Sequence, residues 1–242
     1  MVDFFRAYEL DPAFEPLMDL PTAFPILAAA LRGGRGGKPG EPRIRTPVTQ
    51  LLPGATPSTN AWHRDGGHIR ITYILDDLEP GGGGTACLPG THLDALRFGK
   101  RELPEWCKQN PLGAPEDAPP EYRCATPLAG MPAGSAMINW TDIVHRRTDN
   151  ATPHPRRTFW QVFRRQGEGI GDRLCAHLSS EYRARQTDPT RIALLDDRML
   201  REAGGDFWRL EDLDEGSPFW PYRLDAVLAR LRADGRQARP AL

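Results

Sequence analysis

Between Thr46 and Phe163 the chain reads as short extended runs cut by glycine- and proline-rich turns, with almost no helical periodicity between them. No other feature constrains the fold as tightly. A parallel βαβ sheet would need a helix between successive strands, and almost none is read there. Short strands at such intervals build a sandwich or a barrel. In "HIRITYIL" (68–75), Ile69, Ile71, Tyr73 and Leu75 alternate onto one face. "EPGGGG" (79–84) then forces a hairpin turn, "TACL" (85–88) resumes the extended run, and "PGTH" (89–92) turns the chain again. "SAMINW" (135–140) and "TFWQVF" (158–163) are two further strands by their content of β-formers.

The flanks read differently. "PTAFPILAAALR" (21–32) predicts a short helix ended by "GGRGG", and 33–43 is a loop. Seven prolines from Pro104 to Pro132 predict a long irregular excursion, 104–134, with neither helix nor central strand, either a lid or an insert without function. After 165 the pattern turns helical. Asp188-Pro189 opens a helix carrying Ile192, Leu195 and Met199 and stopped by Gly204-Gly205. A second starts near Ser217-Pro218, with Leu224, Val227, Leu228 and Leu231 on one stripe. Both read as scaffold packed against the barrel. The expectation is one domain over the 242 residues, with a β core at about 45–165 and a helical region at 166–242.

Composition removes several functions. Lysine plus arginine (31) balance aspartate plus glutamate (32), so no basic field points to nucleic acid. No apolar run approaches the ~20 residues of a bilayer span. "MVDFFRAYELDPAF" lacks the basic start and apolar centre of a signal peptide, which reads as a cytoplasmic protein. Cys87, Cys107, Cys124 and Cys175 are scattered with no CxxC pair and read as free thiols, and Asn150-Ala151-Thr152 is a chance glycosylation match. Gly81 to Gly84 lack the Lys-Ser/Thr and helix of a phosphate loop. The partner expected is a small-molecule substrate, with no nucleic acid and no membrane, in a monomer or homodimer.

The chemistry concentrates around "WHRDGG" (62–67). On a strand, residues two apart share a face, so His63 and Asp65 can present an imidazole nitrogen and a carboxylate to one point. His145 in "NWTDIVHRR" is the best third ligand. Two neutral imidazoles and one carboxylate on one face make the facial triad of non-haem Fe(II), which leaves positions open for cosubstrate and dioxygen. The HxD pair alone is equally a polar strand end. Arg156 adds weight, eleven residues after His145 across "RRTDNATPHP". A hairpin of that length would bring its guanidinium back beside the metal, where it could hold the far carboxylate of a keto-dicarboxylate. Arg157 should then face the opposite side as a solvated arginine.

"WHRDGG", "YILDDLEPGGGGTACLPGTH" and "GSAMINWTDIVHRRTDNATPHPRR" together resemble the phytanoyl-CoA dioxygenase family of Fe(II)- and 2-oxoglutarate-dependent oxygenases, over about 50–165. The resemblance implies a double-stranded β-helix (jelly-roll, cupin-like) core, mainly β with flanking helices. It implies iron ligands at His63, Asp65 and His145, a 2-oxoglutarate arginine at Arg156 and a polar cosubstrate contact at Gln50. Asn150 falls where the family often has asparagine. Thr91 replaces the usual serine of "PGSH", Ser135 the usual aspartate after Gly134, and Arg147 the small residue two after the distal histidine. The implied reaction spends 2-oxoglutarate and O₂, releases succinate and CO₂, and hydroxylates an unactivated C–H bond of a small molecule, as in natural-product or secondary metabolism. Halogenating relatives replace the carboxylate that Asp65 retains.

Trp62, His68, Trp140 and Arg147 are candidate walls of a substrate pocket. His92 reads as a turn-fixing residue, and His154 and His177 as surface residues. Two other classes stay open on the residues alone: a non-oxidative, metal-dependent cupin-like enzyme, and a catalytically silent binding protein. The Arg146-Arg147 pair fits an anionic substrate and a solvated surface equally well.

Overall fold

A computed structural model describes residues 2–4, 7–32, 42–66, 68–98, 102–122, 130–165 and 180–195. The helix expected from Ser217, the stretch from Met199 to Gly205, His177, Cys124 and Cys175 lie outside the described residues. So do most of the loop at 33–43 and residues 123–129 of the proline-rich segment.

Five strands form one antiparallel sheet in the order β1 (Val2–Phe4), β2 (Pro42–Leu52), β7 (Arg156–Arg165), β3 (Ile69–Ile74), β5 (Ala136–Trp140). A second sheet pairs β4 (Thr85–Leu88) with β6 (Val144–Arg147). This is the β architecture expected, a jelly-roll of two antiparallel sheets with helices at its flank.

The large sheet has one apolar and one polar face. Ile69, Ile71 and Tyr73 of β3 join Phe159 and Phe163 of β7 and Ile44 of β2 in the main core. That face is covered from both ends of the described chain. Tyr8 of α1 (Ala7–Leu10), Leu27 and Leu31 of α2 (Phe24–Arg32) and Tyr182, Leu194 and Leu195 from the C-terminal side pack onto it. Each fully buried side chain of this size contributes about 1.5–3 kcal/mol. Gln161 falls on the same face and is accommodated by hydrogen bonds. Its Oε1 accepts from the Tyr8 hydroxyl at 2.8 Å and its Nε2 donates to the Leu17 carbonyl at 2.8 Å. The opposite face of β7, Arg156, Thr158 and Trp160, looks towards the small sheet, and that is where a cavity opens.

Several expectations need correction. β3 and β4 lie in different sheets, so Gly81–Gly84 is a crossing between sheets rather than a hairpin turn. β6 and β7 do not pair either: β6 lies against β4, and β7 sits between β2 and β3. Arg156 therefore reaches the site from the opposite sheet, not across a hairpin from His145. "PGTH" turns only through Gly90. α3 (Thr91–Phe98) then begins, with the Thr91 hydroxyl donating to the Leu88 carbonyl at 2.7 Å and accepting from the Val144 amide at 2.9 Å.

The proline-rich segment is not helix-free. α4 (Glu105–Gln109) and single 3₁₀ turns at Pro115–Asp117 and Pro120–Tyr122 occupy it. The prolines fall at the starts of these pieces, where the missing N–H would have no partner anyway. Cys107 and Ala118 join Trp62, Ala86, Leu88 and Val144 in a second core behind the small sheet. On the C-terminal side α5 (Ser180–Arg185) precedes α6 (Pro189–Leu194), which starts at Asp188 as expected. The Asp188 carboxylate accepts from the amides of Thr190 at 2.9 Å and Arg191 at 3.3 Å. No helix among the described residues is long and apolar enough to cross a membrane.

Candidate metal centre and its cavity

His63 and His145 face each other as a two-way hydrogen-bonded pair, each amide donating to the other's carbonyl at 3.0 Å. The 61–65 stretch thus lies along the free edge of β6 as a single bridge, not as the strand the spacing suggested. Neighbouring contacts fix it. The Trp62 amide donates to the Pro111 carbonyl and the Asp65 amide to the Thr141 carbonyl, both at 2.9 Å. Arg64, between the two ligands, points away and donates to the carbonyls of Thr91, at 2.8 Å, and Asp142. His63 and Asp65 are left on one side, opposite His145.

Three side chains converge there. His63 Nε2 lies 3.3 Å from Asp65 Oδ1, and His145 Nε2 lies 3.2 Å from Asp65 Oδ2. The two imidazole centroids are 4.4 Å apart, and one donor atom from each residue falls within 4.8 Å of the others. Adjacent ligands of an octahedral ion at ~2.1 Å sit ~3 Å apart, so the spacing suits one ion.

The tautomers point the same way. His63 Nδ1 lies 2.7 Å from the Ala61 carbonyl and His145 Nδ1 lies 2.8 Å from the Ile143 carbonyl. A carbonyl only accepts, so each Nδ1 carries the hydrogen, and in the neutral ring each Nε2 keeps its lone pair for a metal. His145 Nε2 is buried and makes no hydrogen bond, although the Asp65 carboxylate is within ion-pair distance. A lone pair facing a carboxylate oxygen is unfavourable until a cation lies between them. This donor set therefore fits a divalent metal.

Charge is arranged to match. Burial alone would push the Asp65 carboxyl up, but the contacts with His145 and then His63 outweigh it and hold the group well below the carboxylate range. Burial pulls His145 down and keeps it neutral, while the hydrogen bond to Asp65 raises His63.

Beside the triad is an open cavity of about 580 Å³, solvent at its mouth included. The large sheet lines it with Gln50, Arg70, Thr72, Arg156, Thr158 and Trp160, and the small-sheet side with Asn60, His63, Thr85, His145 and Arg147. Arg156 is 7% exposed; its Nη1 donates to the Gly83 carbonyl at 2.7 Å and its Nη2 to Gln50 Oε1 at 2.5 Å. Gln50 and Thr158 are direct partners in the β2–β7 register, which puts the amide beside the guanidinium. Arg157 is on the other face, 60% exposed, and paired with Asp76.

Three expected pocket residues lie elsewhere. Trp62 turns into the second core, where its indole N–H donates to the Gly113 carbonyl at 3.2 Å and its ring meets Trp106 at 5.9 Å. His68 is buried, and Trp140 packs against the main core. Arg147 does line the cavity, with His145 two residues before it on the same face of β6. Arg146 faces away, towards the Gly113 carbonyl at 2.8 Å and the Trp62 ring at 5.9 Å. His154 is exposed. Asn150 is a structural tie: its Nδ2 donates to the carbonyls of Pro53 and His154 at 3.0 and 2.8 Å. Asn60, Arg70, Thr72, Thr85, Thr158 and Trp160 went unread from sequence, although Thr158 and Trp160 share Arg156's parity along β7.

The family model for phytanoyl-CoA dioxygenase (PhyH) matches residues 49–158. Over this stretch the chain is similar to the phytanoyl-CoA dioxygenase family. The stretch runs from β2 to β7 and includes Gln50, His63, Asp65, His145 and Arg156. Among solved structures, the chain is similar to EctD from S. alaskensis in its apoform, at 14% identity over 74% of this chain and 62% of that one, with a TM-score of 0.51. It also matches EvdO2 from Micromonospora carbonacea var. aurantiaca complexed with 2-oxoglutarate, at 18% identity over 70% and 69% of the two chains, with a TM-score of 0.45. A third match is SnoN, a non-heme alpha ketoglutarate dependent epimerase from nogalamycin biosynthesis, at 19% identity over 74% and 75%, with a TM-score of 0.47. The chain spans 55%, 36% and 50% of the lengths of three further solved structures. Among curated proteins, none matches the chain significantly.

Proposed function

We propose that the protein is an Fe(II)- and 2-oxoglutarate-dependent dioxygenase that hydroxylates an unactivated C–H bond of a small molecule. One observation carries this reading: His63 and His145 of the His63–Asp65–His145 donor set and the buried Arg156 guanidinium line the same cavity from opposite sides. A metal-binding barrel of another class has no need of a buried arginine fork beside its metal. The match of 49–158 to the family model supports the same reading.

His63, Asp65 and His145 would hold the iron from one side and leave the cavity side for cosubstrate and O₂. Bound there, iron couples O₂ to oxidative decarboxylation of 2-oxoglutarate, giving succinate and CO₂, with one oxygen atom in succinate and the other in the hydroxylated product. The protein's share is placement. The Arg156 fork, held by the Gly83 carbonyl and Gln50, is set to take the distal carboxylate of 2-oxoglutarate in two parallel hydrogen bonds, with the Thr158 hydroxyl beside it. Trp160 gives the wall an apolar part against which the substrate C–H bond can be held.

The test is anaerobic. Protein with Fe(II) should develop a visible metal-to-ligand band when 2-oxoglutarate is added, and admitting O₂ should then release succinate. Iron binding with neither band nor succinate would sink the proposal in favour of a non-oxidative metal enzyme.

A further inference from the structure

Arg70 brings a cation against the metal site itself. It stands on β3, which β7 and β5 flank on both sides, and pairs in register with Val162 and Asn139. Ile69 and Ile71, its neighbours along the strand, are locked in the main core, so Arg70 is turned to the cavity from a rigid base. Its side chain is 16% exposed, and its Nη1 donates to Asp65 Oδ2 at 3.4 Å. Its Nε is buried and finds no hydrogen-bond partner among the described residues. The guanidinium is thus largely removed from water, unlike the exposed Arg157 beside Asp76.

This contact works against metal affinity. Arginine keeps its charge in a protein, and a cation beside the site repels a divalent ion. It also occupies an oxygen of the carboxylate ligand. Asp65 Oδ1 lies 3.3 Å from His63 Nε2, and Oδ2 lies 3.2 Å from His145 Nε2 as well as against Arg70. A carboxylate binds a metal through one oxygen or through both. In an octahedral site that takes 2-oxoglutarate the difference decides what else fits. Two imidazoles, one carboxylate oxygen and the two donor atoms of the cosubstrate leave a position for O₂, and a second carboxylate oxygen would fill it.

We propose that Arg70 is a positioning residue that withholds Asp65 Oδ2 from the metal, so that Asp65 binds through Oδ1 alone and the position for O₂ stays open. The inference rests on the dioxygenase reading and deepens it. Arginine suits the role because its planar fork holds a donor on one oxygen in a fixed orientation, where a lysine ammonium would swing. The two groups also come from separately fixed elements. Arg70 is set by β3, and Asp65 by its amide bond to the Thr141 carbonyl and by the bridge between His63 and His145.

The experiment uses the full chain under argon, with nitric oxide as the probe of the O₂ position. Wild type is compared with Arg70→Met, which offers no donor, and Arg70→Gln, which is too short to reach Asp65. Fe(II) affinity is read by dialysis and metal analysis, 2-oxoglutarate affinity from the visible band, and nitric oxide affinity of the Fe(II)·2-oxoglutarate complex from its paramagnetic resonance signal. Both variants should bind Fe(II) at least as tightly as wild type and 2-oxoglutarate within about threefold of it. Nitric oxide should bind about tenfold more weakly or worse, because it must then displace an oxygen released from a hydrogen bond to a charged group. An arginine that merely steadied Asp65 would give the opposite sign, with weaker iron binding. A crystal structure of the wild-type complex needs no variant: Asp65 should meet the metal through one oxygen and Arg70 through the other. Both oxygens on the metal in wild type would overturn the inference. So would unchanged nitric oxide affinity in the variants, loss of iron or of the band in a folded variant, or a wild-type complex that takes up no nitric oxide. Absence of the band in wild type would instead sink the dioxygenase reading itself, which the other outcomes leave standing.

Discussion

Arg156 and Arg157 are adjacent, equally charged and opposite in expected consequence, which makes them the sharpest test of the site. Arg156 is 7% exposed and points into the cavity, donating to Gly83 and Gln50. Arg157 is 60% exposed on the other face and meets Asp76. Truncating one partner of a desolvated arginine–carboxylate pair costs about 2–5 kcal/mol. At ~1.4 kcal/mol per tenfold, Arg156→Ala should weaken 2-oxoglutarate binding by roughly 30- to several-thousand-fold. Arg156→Lys keeps the charge but loses the fork, so it should recover only part of this. Arg157→Ala removes a solvent-screened ion pair worth about 0–1 kcal/mol of stability and should leave the affinity unchanged. The assay is 2-oxoglutarate titration of the anaerobic Fe(II) protein, with circular dichroism as a control, because Arg156→Ala also strips a donor from the Gly83 carbonyl. Weak binding in Arg157→Ala, or normal binding in Arg156→Ala, would refute the assignment.

That pair also marks what was legible in the sequence. Alternation along a strand is local, so the parity that separates Arg156 from Arg157 follows once "RTFWQVF" is read as a strand. The HxD spacing needed only an extended backbone, and a single bridge to His145 serves as well as a strand. Which strands pair is another matter. His145 is opposed to Cys87, 58 residues earlier in the chain, and such a partner is set by whole-sheet closure rather than by anything near either residue. Hence the hairpin expected between β6 and β7 is absent, although both its ends reach the cavity. The same alternation that puts Ile69, Ile71 and Tyr73 in the core puts Arg70 and Thr72 on the other face. Nothing local says that this polar face, rather than the apolar one, lines the site. Trp62 misled for a related reason. A tryptophan beside a ligand can wall the pocket or turn behind it, and the prolines around the α4 segment that supplies Trp106 predict irregular chain there.

Replacing His63, Asp65 or His145 with alanine should abolish Fe(II) binding, measured by dialysis and metal analysis, with little loss of thermal stability, since the main core makes no use of the metal. Gly83→Ala should weaken 2-oxoglutarate binding without touching a charged group. Gly83 sits at φ +79, and an added Cβ would come 2.5 Å from Leu52 Cδ2, shifting the carbonyl that holds Arg156. Trp106→Ala should cost about 2–4 kcal/mol in denaturant unfolding, because half-buried Trp106 packs on Trp62 in the second core; a cost near zero would return this segment to the status of a loose insert. Cys107 supplies a pH test of that core. Burial pushes its thiol from 9.0 to about 11, so the folded protein holds the neutral form more firmly than the unfolded chain does. The stabilisation is complete below 9 and is lost as pH rises from 9.0 towards 11. Alkylation needs the thiolate, so at pH 8 Cys107 in the folded protein should react about a hundredfold more slowly than in the unfolded chain, as read by mass spectrometry of its peptide. Rapid native-state labelling at Cys107 would mean that the α4 segment opens readily, and that the second core does not hold the 61–65 ligand stretch from behind.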